Sequence, residues 1–360
     1  MNRFSELTER LDGYVEMGLP FYDCAVYKDG KCVYRHFSGY TDPLKTKEPT
    51  GKELYNLYSC SKLITCVAAL QLYEQGKFDL YDYLSDYMPE FKEMTVRHGD
   101  IITKAEKRIR IIDLFTMTAG FSYQQDSPAV LKCKAETKGK SPTRVFMKYL
   151  AKEPLLFEPG EKWEYSLCHD VLAALVEVIS GTQFSKYVKD NIFTPLNMYE
   201  SDFRRSGYDY SKLVNQYRYY EGKGAIEISK ECGFNFGEEF ESGGAGCVST
   251  VDDYIKFLEA LRIGDIVLKK ETIELLATDK LTREQTKYYF KNQLYGFSLG
   301  QRCPKDENRS DFGWDGAAGA YYAVDRKNGI SVYLGTHILG FDAFLQKREE
   351  ILQIIQRILK

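Results

Sequence analysis

Alternation and helical periodicity divide the chain into strand-forming ends and a largely helical middle. The opening stretch, MNRFSELTERLDGYVEMGL, spaces apolar residues among charged ones at helical intervals and predicts an amphipathic helix. Phe21 to Tyr27 and Lys31 to Ser38 then read as strands joined by the turn Lys28-Asp29-Gly30. The other end mirrors this: YGFSLGQRC, AAGAYYAVDR and GISVYLGTHIL read as successive strands, with Lys327-Asn328-Gly329 as a tight turn. Phe341 to Leu359 closes the chain as an amphipathic helix. Strands at both termini, with short hairpin connections, predict one shared antiparallel sheet whose apolar face the terminal helices cover.

In the middle, Leu63 to Tyr73 and Val171 to Ile179 are apolar enough to be core helices, the second stopped by Gly181. Polar or glycine-rich stretches, CKAETKGKSP and the long 204–240 segment, read as loops able to wall a cleft. There is no internal repeat and no low-complexity tract.

Composition narrows the function classes. With 360 residues, 44% of them hydrophobic, the chain can bury a large core. A net charge of -3, with Lys and Arg dispersed, gives no basic field, so no nucleic-acid partner is expected. No apolar run approaches the roughly 20 residues that span a bilayer, and Met1 leads straight into the charged first helix, so neither a membrane anchor nor a signal peptide is expected. Nine cysteines lack C-x-x-C spacing and are odd in number, which fits reduced thiols in a cytoplasmic protein. The four histidines, His36, His98, His169 and His337, have no H-x-x-x-H spacing; neither a metal nor a cofactor is expected, and the chemistry must come from side chains.

Ser59-Cys60-Ser61-Lys62 places a hydroxyl and an amine one helical turn apart at the start of an apolar helix. Positions i and i+3 share a face, so Lys62 reaches back over the Ser59 oxygen and makes it a candidate nucleophile. An S-x-x-K alone also fits a capping serine beside a solvated lysine. Tyr165, in FEPGEKWEYSLCHDVLAALVEVISG, follows the Pro159-Gly160 turn and precedes a buried helix; its phenol can trade a proton with a serine, although most of the chain's 28 tyrosines must be packing residues. Trp314-Asp315-Gly316-Ala317 stands at the mouth of a predicted strand, where a glycine permits close approach to the backbone. Cys60 points away from Ser59 as core filler, and His169 with Asp170 serves the start of the following helix.

Taken in order, these segments resemble the serine β-lactamase and penicillin-binding-protein superfamily, within it the class C β-lactamase, D-peptidase and family VIII esterase branch. GKFDLYDYLSDYMPEF, IIDLFTMTAGF, FEPGEKWEYS, PLNMYESDF, GGAGCVSTVDDYIKFLEAL and YGFSLG add to the likeness, which covers nearly the whole chain. The resemblance implies an α/β (α+β) fold of the β-lactamase/transpeptidase type, an antiparallel sheet flanked by helices plus a mainly helical subdomain. It implies a single catalytic domain, 1–360, with a sheet subdomain from 1–55 plus 285–360, a helical subdomain from 56–284, and the cleft between them.

The resemblance also implies a serine hydrolase acting on a small-molecule acyl substrate. Ser59 forms an acyl-enzyme, Lys62 and Tyr165 move the proton, and the backbone amides of Ser59 and Ala317 hold the oxyanion. A neutral Lys62 would take the proton itself, whereas a charged one would hold Tyr165 as phenolate; both routes stay open. Two departures bear on substrate. Tyr165-Ser166-Leu167 replaces the family's Tyr-x-Asn, which weakens amide recognition, and Trp314-Asp315-Gly316 replaces Lys-Thr-Gly or His-x-Gly, which removes a cationic anchor. Leu167, Trp314, Asp315 and Gly316 are therefore expected to contact substrate. The pocket is expected to disfavour carboxylates and prefer neutral or cationic acyl compounds, unless Asp315 turns away to pair with a lysine. A small ester is the leading expectation, a β-lactam or D-amino-acid peptide the alternative, and a silent ligand-binding homologue the second alternative.

Overall fold

In a computed structural model the structure describes residues 3–203, 208–234, 236–306 and 309–359. Both ends of the chain enter one seven-stranded sheet, every pair of neighbours antiparallel. Its spatial order is Tyr295–Phe297, Arg302–Pro304, Asp311–Asp315, Tyr321–Asp325, Ile330–Gly335, Phe21–Lys28 and Lys31–Gly39. The termini are stitched together where Phe21–Lys28 pairs with Ile330–Gly335. Asp29 and Gly30 both take positive φ, 51° and 82°, the twist that a two-residue hairpin loop requires.

Every residue of Tyr321–Asp325 and Ile330–Gly335 is buried, so both faces of the sheet are covered. The first helix, Ser5–Glu16, buries Leu7, Leu11 and Tyr14, and the last, Glu350–Leu359, buries Ile351, Leu352, Ile354 and Ile355. The helix Val251–Ile263 also lies on the sheet, its Tyr254 ring 4.5 Å from that of Tyr333. The helix Ser61–Glu74 is buried from Ser61 through Leu70; apolar on all sides, it forms the centre of the core and packs on Cys168–Ser180. Gly181, left-handed at φ 67°, ends the latter. This is a mixed α/β fold with an antiparallel sheet covered by helices on both faces, as the resemblance implies.

Several expectations need correction. The 204–240 segment is not all loop. Residues 204–207 and 235 lie outside the described residues, but Gln216–Tyr220 and Gly224–Ile228 form a hairpin, and Ile338–Leu339 pairs in parallel with its first strand. YGFSLGQRC is two strands around a turn, with Gly300 at φ 85°. CKAETKGKSP begins inside a helix, Pro128–Glu136. The C-terminal helix is broken into Asp342–Leu345 and Glu350–Leu359, because Arg348 and Glu349 are drawn into an ionic cluster at the strand end bearing Trp314.

Candidate active site

Three separate segments converge on Ser59. The serine is half-buried in a short 3-10 turn, Tyr58–Cys60, that runs directly into the central helix. Three hydrogen bonds fix this turn: Tyr254 donates to the Cys60 carbonyl (2.7 Å), the Cys247 amide donates to Ser61 Oγ (3.0 Å), and Tyr58 donates to Gln216 Oε1 (2.7 Å). Tyr58 adopts φ 48°, a conformation that costs a non-glycine residue energy and persists because the surrounding bonds over-determine it.

One turn on from Ser59, at the start of the helix, Lys62 is 1% exposed. Its Nζ donates to Ser59 Oγ at 3.3 Å, to the Gly244 carbonyl at 2.7 Å and to the Tyr123 hydroxyl at 3.4 Å. Tyr165 donates to the same Ser59 oxygen at 2.5 Å, and Lys62 Nζ lies 4.8 Å from the centre of its ring. The phenol is held between two near-parallel rings, Tyr123 at 5.5 Å and Trp314 at 5.9 Å. The Glu164 amide donates to Met117 O and the Leu167 amide to Ser122 O, which brings the segment carrying Tyr123 alongside the one carrying Tyr165.

The third motif closes against the nucleophile turn. A Cβ on Gly316 would stand 2.6 Å from the Leu57 carbonyl oxygen and 3.5 Å from Cys60 Sγ, so only glycine lets this strand end approach so closely. Ala317, next in the turn, is exposed. The close approach at Gly316 is to the protein's own backbone at Leu57.

The other three residues expected to contact substrate are placed as follows. Leu167, 1% exposed, lies in the main core as the residue preceding the helix Cys168–Ser180. Trp314, 2% exposed, gives its ring to Tyr165, Phe290 and Phe297. Asp315 is ion-paired to Lys291 at 2.7 Å and to Arg348 at 3.1 Å. Burial alone would raise its carboxyl, but Arg348 and Lys291 outweigh that and hold it down at about 2. Its charge is neutralised within the protein and offers no free anion to a cationic substrate.

His169 is fully buried against the Phe115 carbonyl (3.3 Å) and Cys66, and burial, with Lys62 nearby, pushes its imidazole down to about 3. It is a neutral packing group at working pH. Among the described residues no group of three or more His, Cys, Asp or Glu side chains is arranged to hold a metal. The residues that sequence reasoning missed are Tyr123, Lys291 and Arg348, with Phe234 set edge-on to Tyr123 at 4.9 Å. Only Tyr123 carried a local signal, since it stands two residues beyond the family-like stretch IIDLFTMTAGF.

A family profile for Beta-lactamase matches residues 15–355, most of the chain, including all three segments that meet at Ser59. The chain belongs to the Beta-lactamase family. Within that family, an uncharacterized protein of Mycobacterium tuberculosis is 27% identical over 299 residues, 76% of this chain and 74% of its own. A putative D-alanyl-D-alanine carboxypeptidase of Salmonella typhimurium is 31% identical, over 55% of this chain and 48% of its own. The ML-236A carboxylate methylbutanoyltransferase of Penicillium citrinum is 28% identical, over 64% and 57%. Two solved structures share the fold end to end. EstCE1, a hydrolase with promiscuous acyltransferase activity, has a TM-score of 0.80 at 23% identity, covering 100% of this chain and 99% of its own. Simvastatin synthase of Aspergillus terreus has 0.81 at 20%, covering 99% and 98%. The Beta-lactamase family member described here thus stands among hydrolases and acyltransferases of the serine β-lactamase superfamily. No helix among its described residues is long and apolar enough to cross a membrane.

Proposed function

We propose that this protein is a serine hydrolase that cleaves a small ester through an acyl-enzyme on Ser59. One observation carries the reading: a phenol at 2.5 Å and an amine at 3.3 Å address the same serine oxygen. As Ser59 Oγ bonds to the acyl carbon, its proton passes to the Lys62–Tyr165 pair. The carbonyl oxygen becomes an oxyanion held by the backbone amides of Ser59 and Ala317, and the pair then returns the proton to the departing alcohol. Water, deprotonated by the same pair, releases the acid. Trp314 backs Tyr165, and Leu167, in the core, offers no amide to a substrate. All nine cysteines are free thiols, which fits a cytoplasmic setting.

Transfer of the acyl group to an alcohol in place of water is the second reading, favoured by the acyl-transfer activities named for the Penicillium relative and for EstCE1. A D-amino-acid peptidase is favoured less. Trp314 stands where the family's anchoring cation would be, and the nearby cations Lys291 and Arg348 are both engaged by Asp315. The test is a panel of short-chain esters, D-amino-acid amides and β-lactams, with and without an added alcohol acceptor, run on wild type and Ser59→Ala. Ester turnover lost in the variant supports the reading. Amide or β-lactam turnover at comparable rates, or ester turnover that survives in Ser59→Ala, overturns it.

A further inference from the structure

Across Gly244 from Lys62 lies a carboxylate for which the scheme above has no use. Asp170 is 1% exposed in the first turn of the helix Cys168–Ser180. Its Oδ1 accepts from Ser242 Oγ at 2.6 Å and from the Gly244 amide at 3.3 Å. Its Oδ2 is buried and, among the described residues, has no hydrogen-bond partner. A buried, half-satisfied carboxylate is costly and calls for a compensating charge. The Lys62 amine is the group that can supply it: the point where a Cβ on Gly244 would stand is 2.7 Å from Asp170 Oδ2 and 3.3 Å from Lys62 Nζ.

The turn between them is built to keep that gap narrow. Lys62 donates to the Gly244 carbonyl while Asp170 receives the Gly244 amide, so one residue is gripped by both. Thr65 donates to the Gly243 carbonyl at 2.7 Å, and a Cβ on Gly243 would come within 2.4 Å of the His169 carbonyl oxygen. Neither glycine tolerates a side chain, which explains in this structure the Gly243-Gly244 pair of the sequence.

We propose that Asp170 is a positioning residue for the Ser59 reaction. It fixes the Ser242–Gly244 turn onto which Lys62 docks, and its negative charge stabilises the ammonium that Lys62 carries once the Ser59 proton has been taken up. The role parallels that of the buried carboxylate behind the base in a serine–histidine–aspartate triad, exerted here across one residue, Gly244. In the step itself the Ser59 O–H bond breaks, the Oγ–acyl bond forms, and the proton rests on the Lys62–Tyr165 pair until the leaving alcohol takes it. Asp170 exchanges no proton.

The titratable groups facing Lys62 and Asp170 are few. The central helix supplies Cys60 and Cys66, both raised by burial; the 121–123 segment supplies Tyr123, likewise raised; the helix bearing Asp170 supplies Cys168 and the neutral His169; Tyr165 and the buried Cys232 complete the set. Of these, Cys60, Cys66, Tyr123 and Cys168, all raised by burial, and the neutral His169 supply no counter-charge at neutral pH.

The inference rests on Ser59 being the nucleophile, and the experiment separates the two. Fluorophosphonate labelling of Ser59 in wild type is measured first, and its failure sinks the serine reading itself. The pH profiles of kcat and kcat/KM for a short-chain ester then compare wild type with Asp170→Asn. Loss of the counter-charge weakens the base, so the acid limb moves to lower pH by about one unit or more, and plateau kcat falls about tenfold or more with KM little changed. Ser242→Ala removes one hydrogen bond from the same carboxylate and shifts the limb in the same direction by a smaller amount. An Asp170→Asn enzyme whose acid limb stays at the wild-type pH overturns the proposal, whatever its kcat. If that variant does not fold, an unmoved limb in Ser242→Ala overturns it.

Discussion

Two charge clusters lie close to the Ser59 turn and are built in opposite ways. Around Asp315 opposite charges meet directly: Lys291 at 2.7 Å, Arg348 at 3.1 Å, and Glu349 bridging from Lys291 at 2.5 Å. Around Lys62 the nearest carboxylate is held off, with Gly244 between them, and the amine's hydrogen bonds go to a hydroxyl, a phenol and a carbonyl. Charge that is fully paired fixes the architecture, here the junction between the strand Asp311–Asp315 and the broken C-terminal helix. Charge that is incompletely paired remains available to respond when a neighbouring oxygen gives up its proton.

The largest effect expected on either side of that contrast is at the nucleophile. Ser59→Ala removes the acyl-enzyme and lowers kcat by about 10⁴-fold or more, read in an ester assay. Tyr165→Phe keeps the ring between Tyr123 and Trp314 but loses the hydroxyl at 2.5 Å, and lowers kcat about 10²- to 10³-fold with the fold intact by circular dichroism. Gly316→Ala pushes a methyl against the Leu57 carbonyl and displaces the Ala317 amide, costing about 10- to 10²-fold in kcat and less in KM. A wild-type rate in that variant would show that the strand end does not set the oxyanion site.

On the paired side the effects are on stability, and smaller. Asp315→Asn leaves Lys291 and Arg348 without their shared partner and lowers stability by on the order of 2 kcal/mol at neutral pH, read by urea denaturation, with turnover changed far less than by Tyr165→Phe. The sign follows from the carboxyl being held at about 2, below its ordinary value. Its contribution is complete above about pH 4 and is lost as pH falls toward 2. Wild type and Asp315→Asn therefore converge in stability at the acid end. Equal stability at pH 7 would break the contrast between the two clusters.

The sequence made some parts of this contrast readable and hid others. Ser59 and Lys62 are linked by helical spacing, and the buried helix that follows them is apolar on all faces, so their meeting was expected from local pattern alone. Tyr165 came from the resemblance, since nothing local distinguishes one phenol among 28. Asp315 could be read either as a substrate contact or as a paired acid, because Lys291 and Arg348 reach it from segments that only the tertiary fold brings together. The same long-range packing hid the stacking of Trp314 on Tyr165, as well as Asp170, which the sequence assigned to the start of its helix. The hairpin Gln216–Tyr220 with Gly224–Ile228 was missed because its strands are short and half polar; it is held by Ile338–Leu339 from the far end of the chain and by Gln216 bonding to Tyr58.

The central claim is that Ser59 is a nucleophile activated by Lys62 and Tyr165. Its most direct test is to treat the intact protein with a fluorophosphonate, measure the mass and map the adduct. The account predicts one adduct per chain, on Ser59, formed far more slowly in Tyr165→Phe and not at all in Ser59→Ala. No adduct on the wild-type protein, or an adduct on another residue, would contradict it.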